Sequence, residues 1–253
     1  MKFSQQSKGL AWLVLTAFLA IAVAGGLPYF ARFIPWTAER YASILLGSPK
    51  VPVCGGSRQA EAMALLGRIT HRLYPIYPTD KFPLTVQIVS GDTVNAFASL
   101  GGQICVYDGL LQQAESPEEL AGVLAHEIEH VRRRHIMEGM IARLITVGSL
   151  QLIFSGGKSG TRPADLLLSM SFSRQQEREA DEGGLQRLQD ARIDVSGFER
   201  FFERAGNMPT LPPILSDHPS SGARAQMARR HAGHSFDPLM DPKDWQLLKT
   251  ICQ

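Results

Sequence analysis

A net excess of charge of either sign is nearly absent from this chain. Its 26 Lys and Arg face 24 Asp and Glu, a formal net charge of +2 over 253 residues. So balanced a chain offers no electrostatic footprint for a polyanion, and no nucleic-acid partner is expected. Cysteine is scarce as well: Cys54, Cys105 and Cys252 are the 3 present. In an oxidising compartment they allow one bridge and leave one thiol over. Cys54 and Cys252, near the two ends of the domain, are suited to tie those ends together, although the sequence does not fix the pairing. Long apolar runs are few. Leu144 to Gly157 holds 14 uncharged residues, too few to cross a bilayer and better suited to a buried or interfacial helix.

One run does reach bilayer length. Between Lys8 and Arg32 lie 23 uncharged residues centred on Leu10-Ala11-Trp12-Leu13-Val14-Leu15. Lys2 and Lys8 precede it, so the positive-inside bias keeps residues 1–8 cytoplasmic, makes 9–31 a transmembrane anchor and exports 32–253 as one domain. Ala22-Val23-Ala24 also reads as a signal-peptidase site, whose use would leave a soluble protein. Pro28-Tyr29-Phe30 carries the apolar character past that point and favours the uncleaved, single-pass form. In a bacterium the first form sits in the inner membrane with its domain in the periplasm, and the second is free in the periplasm. Arg132-Arg133-Arg134 reads as a solvated helix face, with lipid headgroup contact as the other reading.

What is there is concentrated in Ala125-His126-Glu127-Ile128-Glu129-His130. At about 100° per residue, two histidines four apart fall on one helix face, offset by only ~40°. Both rings can reach one tetrahedral Zn²⁺ while Glu127 points at a water on that metal. Upstream, Ser116-Pro117-Glu118-Glu119 has the order of a capping box with proline at the first helical position. Leu120, Val123 and Leu124 continue at helical spacing into His126.

A zinc hydrolase needs a third protein ligand and leaves the fourth position to water. Ser173 to Asp181 offers Glu177 and Asp181 four apart, on one face of a second helix expected to begin near Pro163. One carboxylate can bind the metal while the other accepts the outer N–H of a ligating histidine. Gly183, Gly184 and Ala180 leave room for the two helices to approach, and Glu179 points elsewhere. His71 and His135 have no partner at ligand spacing; His135 lies about 140° round the helix from His130.

Taken in order, Asn95-Ala96-Phe97, Gly101-Gly102-Gln103-Ile104, Gly109-Leu110-Leu111, the His126 motif with His135 after it, Ser173-Arg174 with Glu177 and Ala180-Asp181, and His218-Pro219 with Arg224 resemble one family. It is the zinc peptidase family of HtpX-like, BepA-like and CAAX prenyl proteases. The likeness runs from about Ile34 to Arg230 and is closest to the periplasm-facing BepA-like and Oma-like members. It implies one zinc per chain held by His126, His130 and Glu177, with Glu127 as general base. Asp181 and Arg224 would support the ligands from outside. It further implies an α+β fold: a mainly helical zinc-peptidase domain with a small antiparallel sheet, preceded by the transmembrane helix. The family's multi-span members enclose their site among several membrane helices, which this sequence lacks, so prenylated substrates are not expected.

The chemistry the resemblance implies is hydrolysis of peptide bonds in misfolded or unassembled envelope proteins. Zinc acidifies its water to a pKa of about 7, and Glu127 takes the proton and delivers it to the leaving amine. His218, after the proline-rich Pro209, Pro212 and Pro213, is the candidate donor to the oxyanion; the resemblance, by which this loop can approach the metal, implies that it could instead cap the zinc and hold the enzyme latent, and a third reading is that it merely pins its loop. Leu84 to Ile88 alternates as a half-buried strand does, and Val94–Ala98 and Gln103–Tyr107 read as a hairpin across Ser99 to Gly102. The resemblance puts a substrate-binding edge strand at Asn95, Ala96 and Phe97, where an extended peptide would add its backbone. The rival from another class is a latent zinc-containing, chaperone-like module that binds extended chains. Near the C-terminus, Trp245, Leu248 and Ile251 form an apolar stripe that would dock on the domain.

Overall fold

The computed structural model describes residues 26, 28–46, 51–54, 56–75, 82, 84–143, 171–210, 212–218 and 237–252. Among them a 3₁₀ turn, Pro28–Phe33, leads into α1 (Trp36–Leu46) and α2 (Gln59–Leu73). Three short strands follow, β1 (Thr85–Val89), β2 (Ala96–Ser99) and β3 (Gln103–Tyr107). Then come α3 (Asp108–Gln113), α4 (Pro117–Arg132), α5 (Arg174–Asp190), α6 (Ser196–Gly206), α7 (Pro213–Asp217) and α8 (Pro242–Lys249). This is the mainly helical α+β architecture expected. No helix of the described residues is long and apolar enough to cross a membrane. The expected span over 9–31 lies outside the described residues except at its end, as do the run 144–157, Pro163 and Arg224.

The sheet departs from the expected antiparallel one. Its order is β1-β3-β2; β2 and β3 form the expected antiparallel hairpin, but β1 and β3 pair in parallel from Thr85↔Gln103 to Val89↔Tyr107. Alternating apolar residues specify a strand without specifying its neighbour. Here β3, reversed once more after β2, returns between the other two and so runs with β1. Gly101 (φ 78°) and Gly102 (φ 80°) make the return, in a backbone region that side chains disfavour. The outer side of β1 is met by Val53, leaving β2 at the other edge of the sheet.

Helix α4 is the axis of the molecule. Its start follows from Ser116, whose hydroxyl accepts the Glu119 amide at 3.4 Å with Pro117 in the first turn. The reciprocal half of the box is replaced: the Glu119 carboxylate takes the Glu115 amide (2.9 Å) and pairs with Arg204. Every residue from Glu119 to Val131 is buried, between α5, α6, α2 and β2. Phe198 of α6 lies so close to Gly122 that any larger residue would displace it. Helix α5 begins later than expected, because Ser173 and Gln176 cap it reciprocally and 171–173 are non-helical. Against α4, a Cβ on Gly184 would sit 3.2 Å from the His126 amide nitrogen. Trp245, Leu248 and Ile251 are buried as expected, and Cys54 is bonded to Cys252 with Cα atoms 5.2 Å apart. Cys105 stays free and buried.

Candidate metal centre

One turn apart on α4, His126 and His130 bring their Nε2 atoms within 3.0 Å of each other. Helix α5 adds Glu177, whose Oε2 stands 3.5 Å from His126 Nε2 and whose Oε1 stands 3.4 Å from His130 Nε2. His218, just past α7, places Nδ1 3.2 Å from His126 Nε2 and 3.1 Å from Glu177 Oε1. All four side chains are buried, with one donor atom from each inside a 4.8 Å cluster. A tetrahedral zinc with bonds of about 2.0–2.1 Å has corners roughly 3.4 Å apart. The observed separations fit that figure, and imidazole with carboxylate is a donor set that suits zinc. Without a shared cation, converging lone pairs on buried side chains would be costly.

The neighbouring charges have been arranged by burial. Burial raises Glu177, but hydrogen bonds from His130 and His218 and the fields of His126 and His218 overcome it, holding the carboxyl far below its usual range. His130 is held well below the ordinary histidine value, chiefly by burial, and so keeps a lone pair. Burial lifts Glu127, with Glu177 adding to the rise; His218, His126 and the Ala98 amide pull the other way. Among the described residues neither Glu127 oxygen completes a hydrogen bond of good geometry, and Oε1 lies 3.5 Å from His218 Nε2. His218 therefore touches the donor cluster with one nitrogen and the would-be base with the other.

The outer side of each α4 histidine is also occupied. Asp181 Oδ1 lies 2.9 Å from His126 Nδ1. His130 Nδ1 lies 3.1 Å from Nδ1 of His135, whose Nε2 lies 3.4 Å from Glu179 Oε2. Burial pushes His135 down to about 4 against the opposing pull of Glu179. This contact was not legible in the spacing, which assumes one continuous helix. Helix α4 ends at Arg132, Arg134 takes φ 68°, and residues 135–143 begin a new helical stretch. No glycine or proline marks the break. Arg134 is held in that conformation by tertiary contacts: its guanidinium pairs with buried Glu39 and the Ile34 carbonyl and lies 3.5 Å over the Trp36 ring.

Asn95 and Ala96 are buried and Phe97 half-buried at the start of the edge strand. The segment that carries His218 lies across them. Asn95 Nδ2 donates to Asp217 Oδ2 (3.1 Å), and the Ile214 amide reaches the Val94 carbonyl (3.4 Å). Arg224 is outside the described residues. Glu129, passed over in the sequence, is buried beside His130 and receives Arg132, Arg133 and Arg187; burial works to raise it, but Arg132 and Arg187 hold it at about 2. Part of the Arg132–Arg134 run is thus an internal clamp as well as a solvated face.

Residues 66–232 match Peptidase family M48. The chain is 31% identical over 194 residues to a putative beta-barrel assembly-enhancing protease of Vibrio cholerae, covering 69% of this chain and 40% of that protein. It is 32% identical over 194 residues to the beta-barrel assembly-enhancing protease of Escherichia coli K12, covering 67% and 39%. With the mitochondrial metalloendopeptidase OMA1 of Arabidopsis thaliana it shares 35% identity over 147 residues, 56% of this chain and 30% of that one. The chain thus spans about two fifths of the length of the assembly-enhancing proteases it matches.

Proposed function

Because the chain belongs to peptidase family M48, we propose that it is a zinc-dependent endopeptidase acting on misfolded or unassembled envelope proteins. His126, His130 and Glu177 hold the ion. The observation that carries the reading is the convergence of their donor atoms, 3.0 to 3.5 Å apart, with Glu127 beside them. Zinc, when bound, supplies Lewis-acid chemistry that acidifies water and polarises a carbonyl. Glu127 accepts the proton of the attacking water on a carboxylate oxygen and returns it to the leaving amine. A base with its pKa raised by burial is suited to both halves of that exchange. Asp181 keeps His126 oriented through Nδ1. An extended substrate adds its backbone to β2 at Asn95–Phe97, and the envelope assignment draws on the named activity of the assembly-enhancing relatives. The apolar run 9–31 serves as the anchor of a single-pass, periplasm-facing protein.

A second reading, a latent zinc module that binds extended chains, is favoured by one observation: His218 Nδ1 sits where a fourth ligand would. The two are separated by casein hydrolysis with the zinc-loaded full chain in detergent, against Glu127→Gln prepared identically. Cleavage by the parent alone supports the peptidase and its base. Casein binding without cleavage by either supports the latent module.

A further inference from the structure

His130 can bind an ion through Nε2 only if its one ring proton sits on Nδ1, and a buried N–H needs an acceptor. Among the described residues the atom within reach is Nδ1 of His135, at 3.1 Å. For that nitrogen to accept, the proton of His135 must be on Nε2, and there it meets Glu179 Oε2 at 3.4 Å. Glu179 is in turn fixed by Gln175 Nε2 (3.0 Å) and Arg133 (3.5 Å). Each proton position follows from the one before it, and the chain ends on a carboxylate at the surface. The Phe172 ring, 4.0 Å from that of His130, packs against one side of this pair.

We infer that His135 is the positioning residue of the centre: it accepts the Nδ1 proton of His130 and hands its own Nε2 proton to Glu179, holding His130 in the tautomer and orientation that leave Nε2 free for the ion. The inference rests on the zinc reading given above. The two α4 histidines are then served differently. His126 meets the Asp181 carboxylate directly, whereas His130 reaches one only through a second imidazole. The abrupt end of α4 acquires a purpose, since an unbroken helix would carry residue 135 away from Nδ1 of His130.

The test is zinc affinity of the full chain in detergent, by competition with a chromophoric chelator, alongside melting of the metal-free protein. His135→Ala is expected to raise the zinc Kd about 10- to 100-fold. His135→Gln, whose carbonyl can accept the same proton, is expected to recover most of that loss. Glu179→Ala is expected to weaken binding several-fold while the metal-free Tm stays at the parent's. A folded His135→Ala with the parent's Kd overturns the inference. So does a Gln variant that binds as weakly as Ala. Should His135→Ala fail to fold, Glu179→Ala decides, and an unchanged Kd there counts against the relay. A parent that takes up no zinc overturns the metal reading itself, a distinct result.

Discussion

Gly183 of α5 faces the buried carboxylate of Glu129 on α4, and a Cβ at that position would collide with it. Glu129 is not free to retreat, because it is paired with Arg132, Arg133 and Arg187. The same two helices carry His126, His130 and Glu177, so the distance this pair sets is also the distance between the halves of the donor cluster.

Gly183→Ala is therefore expected to destabilise the protein. Alanine gains about 1 kcal/mol of helix propensity, but forced overpacking costs about 1–3 kcal/mol and should win. A net loss of up to about 2 kcal/mol in denaturant unfolding of the metal-free protein is expected, with weaker zinc binding. An unchanged midpoint would mean that the helices part without cost.

Glu129 also predicts an acid limb. Its carboxyl falls from 4.5 in the unfolded chain to about 2 in the fold. The folded state therefore binds fewer protons between those values, and the stabilisation is complete above pH ~4.5 and lost as pH falls toward 2. The shift corresponds to about 3 kcal/mol. Glu129→Gln should lose stability at neutral pH and flatten the curve between pH 5 and 2. A parent curve already flat there would count against the clamp.

The Cys54–Cys252 bridge closes a loop with a sequence separation of 198 residues. It fastens the end of α8 to the strip beside β1, where the Cys54 amide bonds the Ile88 carbonyl at 3.1 Å. Replacing both cysteines by serine is expected to cost about 2–5 kcal/mol, measured by denaturant unfolding. If the double variant melts with the parent, α8 is held without the bridge, by buried Trp245 and Leu248 and by its polar ties to Arg68 and Ala114.

What could be read in the sequence was what local rules govern. The helix of His126 and His130, its Ser116 cap, the Glu177–Asp181 pair and the Gly101–Gly102 return each depend on residues within a few positions. What could not be read depends on distant partners. Arg134 adopts a left-handed conformation because Glu39 and Trp36 hold it, and only that break brings His135 back onto His130. The parallel pairing of β1 with β3 is likewise a choice of neighbour, invisible in an alternating pattern. His218 was legible as a candidate with several roles, and a loop of three prolines does not say which nitrogen it presents.

His218 gives the last prediction. Its Nδ1 completes the donor cluster, its Nε2 faces Glu127, and its segment is tied to the edge strand by Asn95–Asp217 and Val94–Ile214. A peptide pairing with β2 would have to displace those ties, so in this arrangement the segment closes both the metal and the strand. If closure is its role, His218→Ala raises casein cleavage with zinc retained. Asp217→Ala removes one hydrogen bond worth about 1 kcal/mol and should raise the open population about fivefold, with cleavage in proportion. If His218 instead donates to the oxyanion, His218→Ala abolishes cleavage with zinc still bound, whereas Asp217→Ala changes it little. The two variants together separate the roles, because releasing the segment and deleting the imidazole act in the same direction only for a latch. Parent rates in both would remove His218 from the reaction and leave it as a loop anchor.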